Sequence, residues 1–245
     1  MSRLIAALSI LLALSLGARA ETVSFPASDG GKVYGELYPA AAPVKGAILL
    51  FHQAGSNRGE YAPIAPRLAG LGYDVLAIDQ RAGGNLWGLG NDTVKARGGA
   101  AVNYLDALPD LEGSLAYARQ TWPGTPVIVW GSSYSASLVF FLAARHPDEI
   151  AGLLSFSPGE YFAGGAVREQ AAKVKCPVFV TSASNAEEIA AAKALVEAVP
   201  GARKTQFVPQ LGVHGSATLR PDSNPGAAPI WDAVTAFLGT LPAKG

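Results

Sequence analysis

The stretch Val127–Leu138 reads V-I-V-W-G-S-S-Y-S-A-S-L, and the rest of the 245-residue chain is organised around it. Val127–Trp130 is a short apolar run bounded by Pro126 and Gly131, and its β-branched residues predict a buried strand. After Ser132 and Ser133 the pattern turns helical: Leu138, Phe141 and Leu142 recur at helical spacing and Ala143 continues the run. Strand therefore passes into helix through a tight turn, which needs small neighbours, and Gly131 supplies one. On this stretch alone, Ser132 or Ser133 also fits an ordinary helix N-cap.

Outward from this turn, the chain alternates strands and helices. Thr22–Ser28 and Lys32–Tyr38 alternate apolar and polar residues around Asp29-Gly30-Gly31, a β-hairpin by its turn chemistry. Ala47–Phe51, Asp74–Ile78, Gly152–Phe156, Pro177–Thr181 and Lys204–Val208 read as strands. Helices are expected near Tyr61–Leu71, over Leu105–Gln120 with Pro109 breaking or restarting it, over Ala186–Val199, and over Ala227–Leu238 with Pro229 in its first turn. This order predicts an α/β fold: a mostly parallel central sheet with helices on both faces and an antiparallel N-terminal hairpin. Ligands of such sheets bind at the carboxyl ends of the strands. The polar clusters fall there: His52-Gln53-Ala54, Asp79-Gln80-Arg81, the turn at Ser133, and Ser157-Pro158-Gly159.

The N-terminus has Arg3, an apolar run over Leu4–Leu16, and Ala18-Arg19-Ala20, the pattern of a secretory signal peptide with cleavage before Glu21. The run falls short of the ~20 apolar residues a membrane span needs. Residues 1–20 are thus expected to be a signal peptide, Glu21–Gly245 one domain, and the location secreted or periplasmic. Basic and acidic residues balance at 19 each, with no basic patch, so nucleic acid is not an expected partner. Cys176 is the single cysteine, which excludes an intrachain disulfide, and its place at a strand start suits a small apolar residue. Three histidines without paired Cys/His spacing give no support for a metal site, and no cofactor is expected. A monomer is expected.

Gly131-Ser132-Ser133-Tyr134-Ser135 between strand and helix resembles the nucleophile elbow of the α/β-hydrolase family, G-x-S-x-G, with Ser135 in the place of the last glycine. The resemblance covers Glu21–Gly245. It implies that Ser133 is the nucleophile and that acid and base follow it in the chain. A serine hydroxyl needs a base within hydrogen-bond reach and a group to orient that base. His214, in Gly212-Val213-His214-Gly215 after the last strand, occupies the family's usual place for the base. His146 sits at a helix C-terminus, where the dipole accounts for it. The family's acid follows the strand before the penultimate helix, where Glu187 is the nearest carboxylate. Glu188 and Glu160 are the alternatives, and Ser184 with Glu187 or Asn185 with Glu188 also fits a helix capping box. The resemblance gives the oxyanion donors as the backbone N–H of Tyr134 and of Ala54, with Gln53 standing where the family has glycine. His52 and Asp79-Gln80-Arg81 read as structural.

From Gly159 to Lys175 the chain is too short for a lid domain, so the site is expected to be open. The Gly-rich loop Ala82–Asn103 is the other possible cover, and Trp87 within it either lines a pocket or anchors the loop. Asn91-Asp92-Thr93 matches an N-glycosylation acceptor. The expected function is a serine hydrolase acting on small or medium carboxylic esters, similar to the lidless dienelactone-hydrolase and carboxylesterase branch. A peptidase or thioesterase on the same triad, and a non-catalytic binding protein with the fold, are the rival readings.

Overall fold

A computed structural model of the chain describes residues 20–41, 43–162 and 166–244. The segment expected to be a signal peptide, apart from Ala20, lies outside the described residues. Among the described residues, eight strands form one sheet: β1 (Glu21–Pro26), β2 (Lys32–Tyr38), β3 (Gly46–Phe51), β4 (Tyr73–Asp79), β5 (Val127–Ser132), β6 (Gly152–Phe156), β7 (Val178–Thr181) and β8 (Lys204–Phe207). Their order is β1-β2-β4-β3-β5-β6-β7-β8. β1 and β2 pair antiparallel, as does β2 with β4, and every later pairing is parallel. This is the expected architecture.

Among the described residues, seven α-helices accompany the sheet: α1 (Ala65–Gly70), α2 (Asp92–Ala96), α3 (Leu108–Thr121), α4 (Tyr134–Arg145), α5 (Val167–Ala171), α6 (Ala186–Ala198) and α7 (Ala227–Leu238). β3, β4 and β5 are buried along their whole length, because helices cover both faces of the central sheet. One core packs α3, α4 and α6 against one face, around Leu49, Val129 and Phe140. The other packs α1 and α7 against the opposite face, around Leu50, Trp130 and Trp231.

Several local expectations are refined. Pro109 restarts a helix rather than breaking one: a 3-10 turn over Tyr104–Ala107 leads into α3 with Pro109 in its first turn. The expected helix Tyr61–Leu71 divides into a 3-10 turn, Arg58–Tyr61, and α1. The Gly-rich loop contains α2, capped by the Asn91 side chain. Asn91 also donates to Gln80 O at 2.9 Å and is buried, so the glycosylation triplet is not presented to solvent. Trp87 lies beneath the Arg220 guanidinium, 4.0 Å from its ring centroid, and Asn57 Nδ2 donates to the carbonyls of Gly84, Leu86 and Leu89. Trp87 thus anchors its loop. Between β6 and β7, α5 is the only regular element among the described residues.

The β5–α4 turn places Ser133 at φ 57 and ψ −123, outside the regions that non-glycine residues favour. Gly131 makes the turn possible, since a Cβ there would lie 2.1 Å from Ser135 O. Gly131→Ala should therefore cost about 3 kcal/mol or more, with the turn forced open. Gly70→Ala, where a Cβ meets nothing within 4 Å, should be neutral or slightly stabilising. Urea denaturation of the two variants checks this.

Candidate active site

The parallel ladder runs on past the strand ends and fixes the turns beyond them. Ser133 N donates to Phe156 O and Ser157 N to Thr181 O, each at 2.8 Å. Ser133 ends up at the carboxyl edge of the sheet with its side chain open to the loop after β8. There Ser133 Oγ lies 2.8 Å from His214 Nε2, and His214 Nδ1 lies 3.1 Å from Glu188 Oε1. An ionised carboxylate can only accept, so Nδ1 carries the proton and Nε2 accepts from the serine hydroxyl. His214 is substantially exposed, whereas Ser133 is buried, with 8% of its surface exposed.

The acid position departs from the expectation. Glu188, not Glu187, faces His214. Asn185 is the N-cap of α6, its Oδ1 accepting from Glu188 N at 2.9 Å. That cap puts Glu188 at the third helical position, where a side chain turns back toward the helix start. Its Oε2 accepts from Ala183 N at 3.0 Å while Oε1 meets the imidazole. Glu187, one residue earlier, points about 100° away around the helix. Glu160 accepts from the amides of Val167 and Arg168 at the start of α5.

Burial pushes the Glu188 carboxyl up, but hydrogen bonds from His214, the Ser157 hydroxyl and Ala183 N outweigh it and bring the pKa down to about 2. Ser157, itself at φ 59, accepts from Gly215 N at 2.9 Å and so joins the acid to the base loop.

The oxyanion side also has an ordered frame. The amides of Ala54 and Tyr134 donate to no protein acceptor among the described residues. Gln53 N is committed to Glu60 Oε2 at 2.9 Å, so it is not available as a donor beside them. His52 is fully buried; Nδ1 donates to Gln53 O at 2.8 Å and Nε2 accepts from Gln80 N at 2.9 Å. Burial brings its pKa down to about 4, and its neutral ring is a fixed strut. Ser135, where glycine was expected, donates to His52 O at 2.6 Å and accepts from Gln80 Nε2 at 2.8 Å. The departure from glycine therefore adds a tie between the elbow and the oxyanion side.

Arg81 holds Asp110 at 2.7 Å and Asp29 at 2.5 Å, and Asp79 pairs with Arg58, consistent with bracing below the site. Cys176 is remote from Ser133 in the fold, just before β7, and burial pushes its thiol up to about 12. A cavity of about 580 Å³ is walled by Val102, Tyr104, Leu105, Tyr161 and Phe162. Tyr104 stacks on Tyr134, ring centroids 4.6 Å apart. The Tyr161 phenol donates to Ser157 O at 2.8 Å, and the Ser133 hydroxyl is near enough to act on its ionisation. Glu60, Ser157 and Tyr161 were not anticipated from sequence.

The family model described as "Serine aminopeptidase, S33" matches residues 42–164, half of the chain. The chain belongs to that family. This α/β-hydrolase has no sequence match among curated proteins. Its fold is similar to that of a dienelactone hydrolase from Anabaena variabilis, with a TM-score of 0.72 and 15% identity over 92% of this chain and 99% of that one. An esterase from Pyrococcus furiosus aligns with a TM-score of 0.69 and 17% identity over 100% and 97%. A carboxyl esterase from Bacillus coagulans aligns with a TM-score of 0.69 and 13% identity over 90% and 98%.

The Glu188 contacts give a pH signature in stability. Its folded-state pKa is depressed below 4.5, so its contribution is present above pH 4.5 and lost as pH falls through about 2. Glu188→Gln should be less stable than wild type at pH 6, and the gap should close near pH 2. Denaturant titrations at the two pH values measure it.

Proposed function

We propose that the chain is a serine hydrolase that cleaves neutral carboxylic esters through an acyl-enzyme. The observation that carries this reading is the hydrogen-bonded series Ser133 Oγ–His214 Nε2 and His214 Nδ1–Glu188. In the first step Ser133 Oγ attacks the carbonyl carbon while its proton passes to Nε2. Glu188 holds the tautomer and stabilises the imidazolium. The tetrahedral oxyanion receives the Ala54 and Tyr134 amides, each worth a few kcal/mol. Collapse expels the alcohol, protonated from Nε2, and a water then repeats the sequence to release the acid. No step calls for a metal or cofactor.

The cavity beside the elbow suggests the substrate. Tyr104, Leu105 and Tyr161 are exposed apolar side chains on its wall, and none of its lining residues is basic. That lining suits an aromatic or compact apolar group of an uncharged ester better than a carboxylate-bearing one. The name of the matching family raises a second reading, an aminopeptidase, which would use the same triad on an amide bond. Aminoacyl anilides tested beside aryl esters decide between them.

A fluorophosphonate probe should label the wild type and leave Ser133→Ala unlabelled; labelling that survives in the variant rejects Ser133 as nucleophile. Glu188→Gln should lower ester turnover by ~10³-fold or more, while Glu187→Gln stays near wild type. Tyr104→Ala should lower kcat/KM for a phenylacetate ester by about tenfold relative to the acetate ester. Export and removal of residues 1–20 are likewise proposed, with the single domain beginning at Glu21. Mass spectrometry of exported protein should find Glu21 at the N-terminus.

A further inference from the structure

Glu60 is a carboxylate near the elbow that the proposed mechanism does not use, and it is wholly buried in the 3-10 turn after β3. Three donors converge on it. Ser132 Oγ donates to Oε1 at 2.6 Å; Gln53 N at 2.9 Å and Ser56 Oγ at 3.2 Å donate to Oε2. Ser132 Oγ in turn accepts from Ser216 N at 2.8 Å. One carboxylate thereby links the loop that carries Ala54, the residue preceding the nucleophile, and the loop that carries His214. The fit is close, since a Cβ on Gly215 would lie 2.4 Å from Ser132 Oγ and 3.8 Å from Glu60 Oε1.

Packing alone does not account for a glutamate here. An apolar side chain would fill the space without the cost of burying a charge. Desolvation pushes the Glu60 carboxyl up, and the Ser132, Gln53 and Ser56 hydrogen bonds, with Arg220 nearby, oppose that push. What a carboxylate offers is acceptance without donation, which is what three converging donors require. An amide would turn its NH2 toward one of them.

We propose that Glu60 is a positioning residue that holds the oxyanion loop, the elbow and the base loop in register for attack by Ser133. This rests on the serine-hydrolase reading above. The carboxylate touches no reacting atom; it acts through Gln53, Ser132 and Ser216. Its loss therefore changes the geometry met by the transition state more than the affinity for substrate.

The test measures kcat and KM for an acetate ester, the fluorophosphonate labelling rate and the melting temperature. The proteins are the wild type, Glu60→Gln, Glu60→Ala, Ser132→Ala and the Glu60→Ala/Ser132→Ala double variant. Glu60→Ala should lose about 100-fold in kcat with KM within about threefold, and Glu60→Gln only about tenfold. Ser132→Ala should lose about tenfold, and the double variant no more than Glu60→Ala, because both substitutions cut one link. A Glu60→Ala enzyme within about fivefold of wild-type kcat, or losses that multiply in the double variant, overturns the proposal. If Glu60→Ala does not fold, Glu60→Gln and Ser132→Ala decide: kcat lowered at unchanged melting temperature supports it, and wild-type kcat in both overturns it. A wild type that neither turns over ester nor takes the probe sinks the Ser133 reading and this inference together. An active wild type with indifferent variants sinks this inference alone.

Discussion

The imidazole of His214 is gripped at both ring nitrogens by groups from distant parts of the chain, and the site depends on that grip. The loop that carries it leads only into a short 3-10 turn, Gly215–Leu219, which is too short to set its course. It is pinned by single hydrogen bonds instead: Gly215 N to Ser157 Oγ, Ser216 N to Ser132 Oγ, and Ser184 N to Gly212 O. Trp130 Nε1 donates to Ser216 Oγ at 2.9 Å from within β5. Two of these anchors, Ser132 and Ser157, are buried serines, each a small side chain that can donate and accept at once. Ser132 ends β5 and Ser157 follows β6, so the sheet's register reaches the loop through them.

Much of this was legible in the sequence. Strand–turn–helix at Val127–Leu138 indicated the β5–α4 junction, and alternation elsewhere indicated the parallel sheet. His214 stood out because it is the only histidine in the chain after α4's end signal. The acid was harder. Capping and a contact with His214 read as alternatives in the sequence, yet Glu188 makes both: the cap turns its side chain back toward the loop that carries His214. Choosing Ser184 rather than Asn185 as the cap shifts the helix phase by one residue and presents Glu187. Local sequence does not settle that register, because Ser184 and Asn185 are both good caps. The contact with Gly212 O that holds Ser184 outside the helix comes from 28 residues away.

Glu60 was less legible still. G-S-N-R-G-E reads as a polar turn, in which glutamate is ordinarily solvated. Its burial follows from long-range packing: Tyr61 beside it inserts into the core and donates to Phe51 O, while Arg220 donates to Glu60 O from above. A side chain's neighbourhood in such a turn is written in segments that only the fold brings near. The same holds for Trp87, whose role as anchor depends on Arg220 far downstream.

Ser133 occupies a backbone conformation that glycine adopts freely and serine does not, at a cost of about 1–3 kcal/mol. Gly131, the ladder bond to Phe156 O and the Ser135 tie leave it no alternative. The native fold thus carries a standing deficit at Ser133 itself. Selection for durability alone would replace that serine with glycine, and the tougher chain would lose the hydroxyl that now faces His214.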